Sequence, residues 1–135
     1  MADVTITPSA VQQTSSTIYQ DGTAGATIVA GQVVYQDSAD SNEWKLADSS
    51  DVPKAAAKGL AMNGAANGQP LRVATGGRLT VDGFTALVFY YVSGTAGGLC
   101  PYADLGSGEY VTQVCAAISA TEIEINPIAL GVAVS

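Results

Sequence analysis

Asparagine or aspartate followed by glycine recurs along this chain, at Asp21-Gly22, Asn63-Gly64, Asn67-Gly68 and Asp82-Gly83. These dipeptides supply the positive φ values of tight hairpin turns, so a chain punctuated by them leaves little room for long helices. Between them lie short runs rich in Val, Ile, Thr and Tyr, at residues 27–29, 32–35, 43–46, 71–74, 78–81, 86–92, 110–115 and 122–125. Several alternate polar with apolar residues, the period of a strand with one wet face. Runs of this length and spacing predict an all-β fold, a compact antiparallel β-barrel or sandwich.

One segment departs from that pattern. In Ser49 to Gly59, Ser50 or Asp51 suits an N-cap and Pro53 suits a first turn. The alanines that follow propagate a helix, and Gly59 fits the position just past its end. A single helix of one or two turns is expected there, crossing an end of the barrel and held by packing rather than by propensity. A repeated logic also shows. Val33-Val34-Tyr35, then Leu46, Gly59-Leu60-Ala61 and Leu71-Arg72-Val73 are echoed by Tyr90-Tyr91-Val92, Leu99, Val114-Cys115-Ala116 and Ile123-Glu124-Ile125. If the echo is structural, two related halves close one barrel.

Residues 1–23 read differently from 24–135. The first stretch is rich in Ser, Thr and Gln, with isolated apolar residues at Val4, Ile6, Val11, Ile18 and Tyr19, too few to build a core. Two readings stand: a frayed terminus, or an extended N-terminal arm that orders against a neighbour with Val4 and Ile6 as anchors. The division expected is therefore an arm, 1–23, and a β domain, 24–135.

The 135 residues suffice for one domain with an arm, and a chain of this size buries about two thirds of its unfolded surface without a metal or disulfide staple. With 47% hydrophobic and 13% charged residues it is not a disordered tail. Five Lys and Arg against twelve Asp and Glu give a net charge of −7, the opposite of a nucleic-acid footprint. The start MADVTITPSA has neither the basic nor the apolar region of a secretory signal, and the longest apolar runs fall well short of the roughly 20 residues of a membrane span. No nucleic acid and no membrane are expected as partners.

The chain has no histidine, which removes the commonest general base and zinc ligand. No nucleophile elbow, Cys-His pair, phosphate loop or three-glycine dinucleotide pattern is present. Asp37, Asp40 and Glu43 cluster in one turn but lack the glycine and terminal glutamate of a calcium loop, so a solvated turn is the expectation. Glu122 and Glu124 share one strand face, which paired catalytic carboxylates can do, but wet-face residues do so more often. Neither catalysis nor a metal nor a cofactor is expected. Cys100 and Cys115 match no metal spacing; they are expected as half-buried thiols, with a cross-strand disulfide left open. Arg72 and Arg78 flank what reads as a glycine turn at Thr75-Gly76-Gly77. They suit either local ion pairs or acidic groups on a partner. Trp44 and Tyr102 suit either interface anchors or plugs at an end of the barrel.

The order of several segments resembles a known family. These are Ala30-Gly31-Gln32-Val33-Val34-Tyr35, Trp44-Lys45-Leu46-Ala47-Asp48, the Ala-rich stretch to Gly59-Leu60-Ala61, residues 66–77 from Ala66-Asn67-Gly68 to Thr75-Gly76-Gly77, and residues 90–99 from Tyr90-Tyr91-Val92 to Gly97-Gly98-Leu99. Together they are similar to the small capsid cement, or head decoration, proteins of tailed bacteriophages, over roughly residues 24–134. The resemblance implies a non-enzymatic virion protein made in the host cytoplasm. It would assemble as a homotrimer, sit on the outer surface of the expanded head and clamp neighbouring major capsid subunits. The family's shared motif consists of fold-forming turns, so no functional residue carries over by position. The residues expected at capsid or protomer contacts are Val4, Ile6, Val11, Ile18, Tyr19, Trp44, Arg72 and Arg78. The alternative is a carbohydrate- or surface-binding β module of a virion fibre or adhesin, with Trp44, Tyr90 and Tyr102 as stacking platforms.

Overall fold

The computed structural model describes residues 4 and 6–134, with backbone alone at 52, 53 and 131. Residues 1–3 and 5 of the expected arm, and residue 135, lie outside the described residues. Among the described residues there are ten strands and one short α-helix: β1 (Gln12–Gln13), β2 (Ile18–Thr23), β3 (Val33–Asp37), β4 (Glu43–Leu46), α1 (Val52–Ala55), β5 (Gly59–Ala61), β6 (Pro70–Thr80), β7 (Phe89–Val92), β8 (Leu99–Pro101), β9 (Tyr110–Ser119) and β10 (Glu122–Ala133). They form one antiparallel sheet in the order β4-β3-β5-β6-β10-β9-β7-β8, with β1 and β2 also paired to β6. The sheet curls into a half-barrel. Backbone hydrogen bonds link its two ends: Val33 N–H donates to Gly97 O (2.9 Å), Gly97 N–H to Ala47 O (2.8 Å) and Ser49 N–H to Ser93 O (3.1 Å).

The strand order reads as two copies of one plan. In each half a hairpin (β3–β4, β7–β8) is followed by a short helical turn, α1 or a 3-10 turn at Tyr102–Asp104. The next strand (β5, β9) then pairs with the hairpin's first strand, and the last (β6, β10) pairs with that one. The halves join where β6 and β10 pair antiparallel, Thr80 to Gly77 against Glu122 to Ile125. The echo in the sequence is thus a repeat of topology.

The core follows from side-chain alternation. Val33 and Tyr35 point into the curl with Leu60, Leu79, Val92, Val114 and Ile123. Val34, between them, points the other way, into a second cluster with Trp44, Leu71, Val73 and Ile28. A strand buried on both faces loses its alternating pattern, as β3 does.

Several expectations are corrected by this arrangement. Thr75-Gly76-Gly77 is not a turn: β6 runs straight through it, and the glycines mark where its partners change from β2 and β5 to β1 and β10. Gly77 takes φ +70°, and a Cβ there would overlap the Ser16 carbonyl. Asp21-Gly22 is likewise inside a strand, β2, where Gly22 leaves room for the Trp44 indole; a Cβ would stand 2.5 Å from Nε1. The helix is one turn only, with Asp51 at its N-cap, and Gly59 opens β5 instead of closing α1. The run at 27–29 forms no strand; Ile28 makes a single bridge to Ala65.

Candidate functional site

The N-terminal segment lies along its own chain as a strap. Val4 N–H donates to Leu99 O (2.8 Å), and Thr7 N–H to Asp82 Oδ1 (2.7 Å). Val4, Ile6 and Val11 are half-buried against the inner core. Ile6 sits directly on Gly31, where a Cβ would approach Ile6 Cγ2 to 2.8 Å. Gln12 and Gln13 then pair with Thr80 and Leu79, and the Thr14 and Thr17 hydroxyls both donate to Arg78 O. β2 completes the strap, paired along β6 from Pro70 to Gly76. Within the single chain, the arm thus packs along β6 and against the inner core. Val4, Ile6 and Pro8 form one wall of a cleft of about 380 Å3, with residues 29–32 and 95–99 opposite.

The other expected contact residues fall in separate places. Tyr19 and Arg72 come together on the outer face of β2 and β6: the guanidinium lies over the Tyr19 ring, 4.0 Å from its centroid. It also bridges Asp21, with Nε 2.8 Å from Oδ1 and Nη2 3.3 Å from Oδ2. The bidentate Arg72 pairing holds the Asp21 carboxyl below the usual carboxylate range. Ile18 stands exposed on the same strand. Arg78 lies further along β6, 3.5 Å from Glu122 Oε1. Trp44 is completely buried in the second cluster, so it is a core residue with no surface to offer a partner. Tyr90 is also buried, its hydroxyl accepting from Thr85 N–H. Of the three aromatics suited to stacking on a ligand, only Tyr102 is exposed, and it packs edge-on against Tyr91 with centroids 5.5 Å apart.

Among the described residues, no cluster of three or more metal-ligating side chains occurs. At the Asp37–Asp40 turn, Lys45 Nζ stands 2.9 Å from a carboxylate oxygen of each aspartate. Its ammonium therefore occupies the place a cation would take, and Lys45 hydrogen bonding pulls the Asp37 carboxyl down. Glu122 and Glu124 differ in surroundings, one half-buried beside Arg78 and the other exposed. Both thiols are buried and neither is in a disulfide; β7 lies between their strands, β8 and β9. Burial pushes the Cys115 thiol up to about 12. No helix among the described residues is long and apolar enough to cross a membrane.

Two surface features escape a reading by residue type. Leu87 is 89% exposed and has φ +67°, a conformation costly for a branched side chain. On β10, Ile128, Leu130 and Val132 all stand exposed. The sequence signal for these three was available: residues 125–135 carry no charge, although period alone does not say which side faces the core.

The fold and these surfaces define a class: an all-β half-barrel with a strapped N-terminus and exposed apolar residues on its surface. No protein-family model matches the chain, and no curated protein sequence matches it either.

Proposed function

We propose that this chain is a capsid cement protein of a tailed bacteriophage. In this reading it binds the outer surface of the expanded head, clamps neighbouring major capsid subunits, acts as a homotrimer and catalyses no reaction. The observation that carries the reading is how the two halves, built on one plan, differ at the surface. Residues 24–81 hold ten charged side chains; residues 82–135 hold five, none of them basic. The second half displays Leu87, Phe89, Tyr102, Ile128, Leu130 and Val132 instead. Large exposed apolar residues with depleted charge are the mark of a surface that meets protein. A net charge of −7 suits the exterior of a shell rather than its DNA-facing side.

The physics of cementing is linkage. A protein that binds the expanded shell and not its precursor stabilises the expanded form by about 2.7 kcal/mol when present at 100 times its Kd. Several weak contacts made together by one oligomer gain about 10²-fold or more through effective concentration. The test is co-sedimentation of the purified protein with expanded and unexpanded heads. Saturable binding to expanded heads alone, with a raised temperature of head disruption, is the expected result. Equal binding to both forms, or to neither, removes the reading. The carbohydrate-binding alternative keeps only Tyr102 of its three stacking residues, because Trp44 and Tyr90 are interior.

A further inference from the structure

β10 changes character halfway along. From Glu122 to Ile125 it lies between β6 and β9 and sends Ile123 and Ile125 into the core. There the ladder with β6 ends, and β6 from Gly76 back to Pro70 pairs with β2 and β5 instead. From Asn126 onward, among the described residues, β10 is paired with β9 alone. Neither face of this stretch is then covered: Ile128, Leu130 and Val132 are exposed by 42%, 58% and 60%, and Ala129 and Ala133 between and beyond them are exposed as well. A strand end facing water is ordinarily polar outward.

The topological repeat supplies an internal comparison. The matching strand of the first half, β6, carries Arg72 and Arg78 on its surface, each in an ion pair. Beyond its ladder with β10 it is paired on both sides, with β2 and β5. Nothing in this plan therefore demands an exposed apolar row; the second half has one and has no counterpart of β2 over it among the described residues.

We infer that the exposed row Ile128, Leu130 and Val132 of β10 is the surface on which a second copy of this chain packs. This rests on the oligomeric part of the reading above and not on the shell. Charge selects the occupant. Two copies each carrying −7 repel wherever charged surfaces meet, and like charges brought together across an interface cost several kcal/mol. β10 beyond Glu124 is free of charge, as is β9 beside it from Tyr110 to Ser119, so identical chains can meet there without that penalty. A basic partner would instead be drawn to the acidic surface. Pro127, with no N–H to donate, breaks the free edge at its start, so the contact is one of side chains packing rather than a continued ladder.

The experiment is sedimentation velocity on the full chain, without heads, from about 1 to 100 μM, a range that brackets micromolar association. The wild type is expected as a discrete multiple of 13.6 kDa. Leu130→Glu is expected to sediment as monomer, or to associate at least tenfold more weakly. Ala39→Glu, which adds the same charge at the exposed β3–β4 turn, is expected to leave association unchanged. A wild type monomeric throughout overturns the inference, as does Leu130→Glu associating like the wild type, or Ala39→Glu weakening it equally. If circular dichroism shows Leu130→Glu unfolded, Leu130→Thr is read instead; association within twofold of wild type then overturns the inference. Head binding is a separate measurement: an oligomer that ignores heads sinks the cement reading and leaves this one standing.

Discussion

Gly59 and Leu87 show how single positions are decided by contacts or by dihedral strain. A Cβ on Gly59 would fall within the Ala74 carbonyl, a backbone group fixed in the β5–β6 ladder that cannot swing aside. Gly59→Ala is therefore expected to cost about 3 kcal/mol and to lower Tm strongly; a Tm within a few degrees of wild type would show that the ladder yields. Leu87 is the opposite case. Its exposed side chain contributes little burial, while its φ of +67° is unfavourable for any residue but Gly, Asn or Asp. Leu87→Asn should raise stability by about 0.5–1 kcal/mol, read as a higher Tm. A lower Tm would mean that the side chain packs in the folded state.

At the scale of elements, the strap is held by groups that respond to acid. Hydrogen bonds from the Thr7 side chain and backbone hold the Asp82 carboxyl below its usual 3.8, and Arg72 does the same for Asp21 on β2. A carboxyl with a depressed folded pKa adds stability above its unfolded pKa, and that stability is lost as pH falls through the folded value. Protection of the Val4 and Thr7 amides, corrected for intrinsic exchange, should thus hold from neutrality to about pH 4 and decline below it. Asp82→Ala should lower Thr7 protection about fivefold at neutral pH, the equivalent of one hydrogen bond of about 1 kcal/mol; unchanged protection would show the strap held by Ile6 and Val11 alone. Elements also show where the sequence was readable. β3, β4, β7, β9 and the first half of β10 coincide with runs of β-branched and aromatic residues. β2 was missed because Ile18-Tyr19-Gln20-Asp21-Gly22-Thr23 is exposed along nearly its whole length, so no buried face imprints a period. β5 and β8 are three residues each, too short for any period to show.

The molecule as a whole is expected to unfold as one sheet, since β6 joins both halves and takes the strap as well. Cys100 and Cys115 report on that event. Both are buried, in different clusters, and Cys115 forms thiolate only far above neutrality. Modification of both by a thiol reagent should proceed at one rate, tracking global unfolding in denaturant. Much faster labelling of Cys100 would mean that the β7–β8 edge opens by itself.

Of the expected contact residues, Arg72 with Tyr19 and the strap residues Val4, Ile6 and Val11 are brought into local groups, whereas Trp44 is interior. Residue type alone could not tell these apart, because a large aromatic suits a core and an interface equally. Local composition by itself determined the fold class: β-branched runs parted by Gly are properties of the covalent chain and its short-range conformational preferences. Which face of each strand is covered, that Gly76-Gly77 continues a strand, that the arm lies on β6 and that β10 leaves its apolar row exposed were decided only in three dimensions. Each depends on which distant segment arrives alongside, and that pairing is set by the energy of the assembled sheet, not by any one stretch within it.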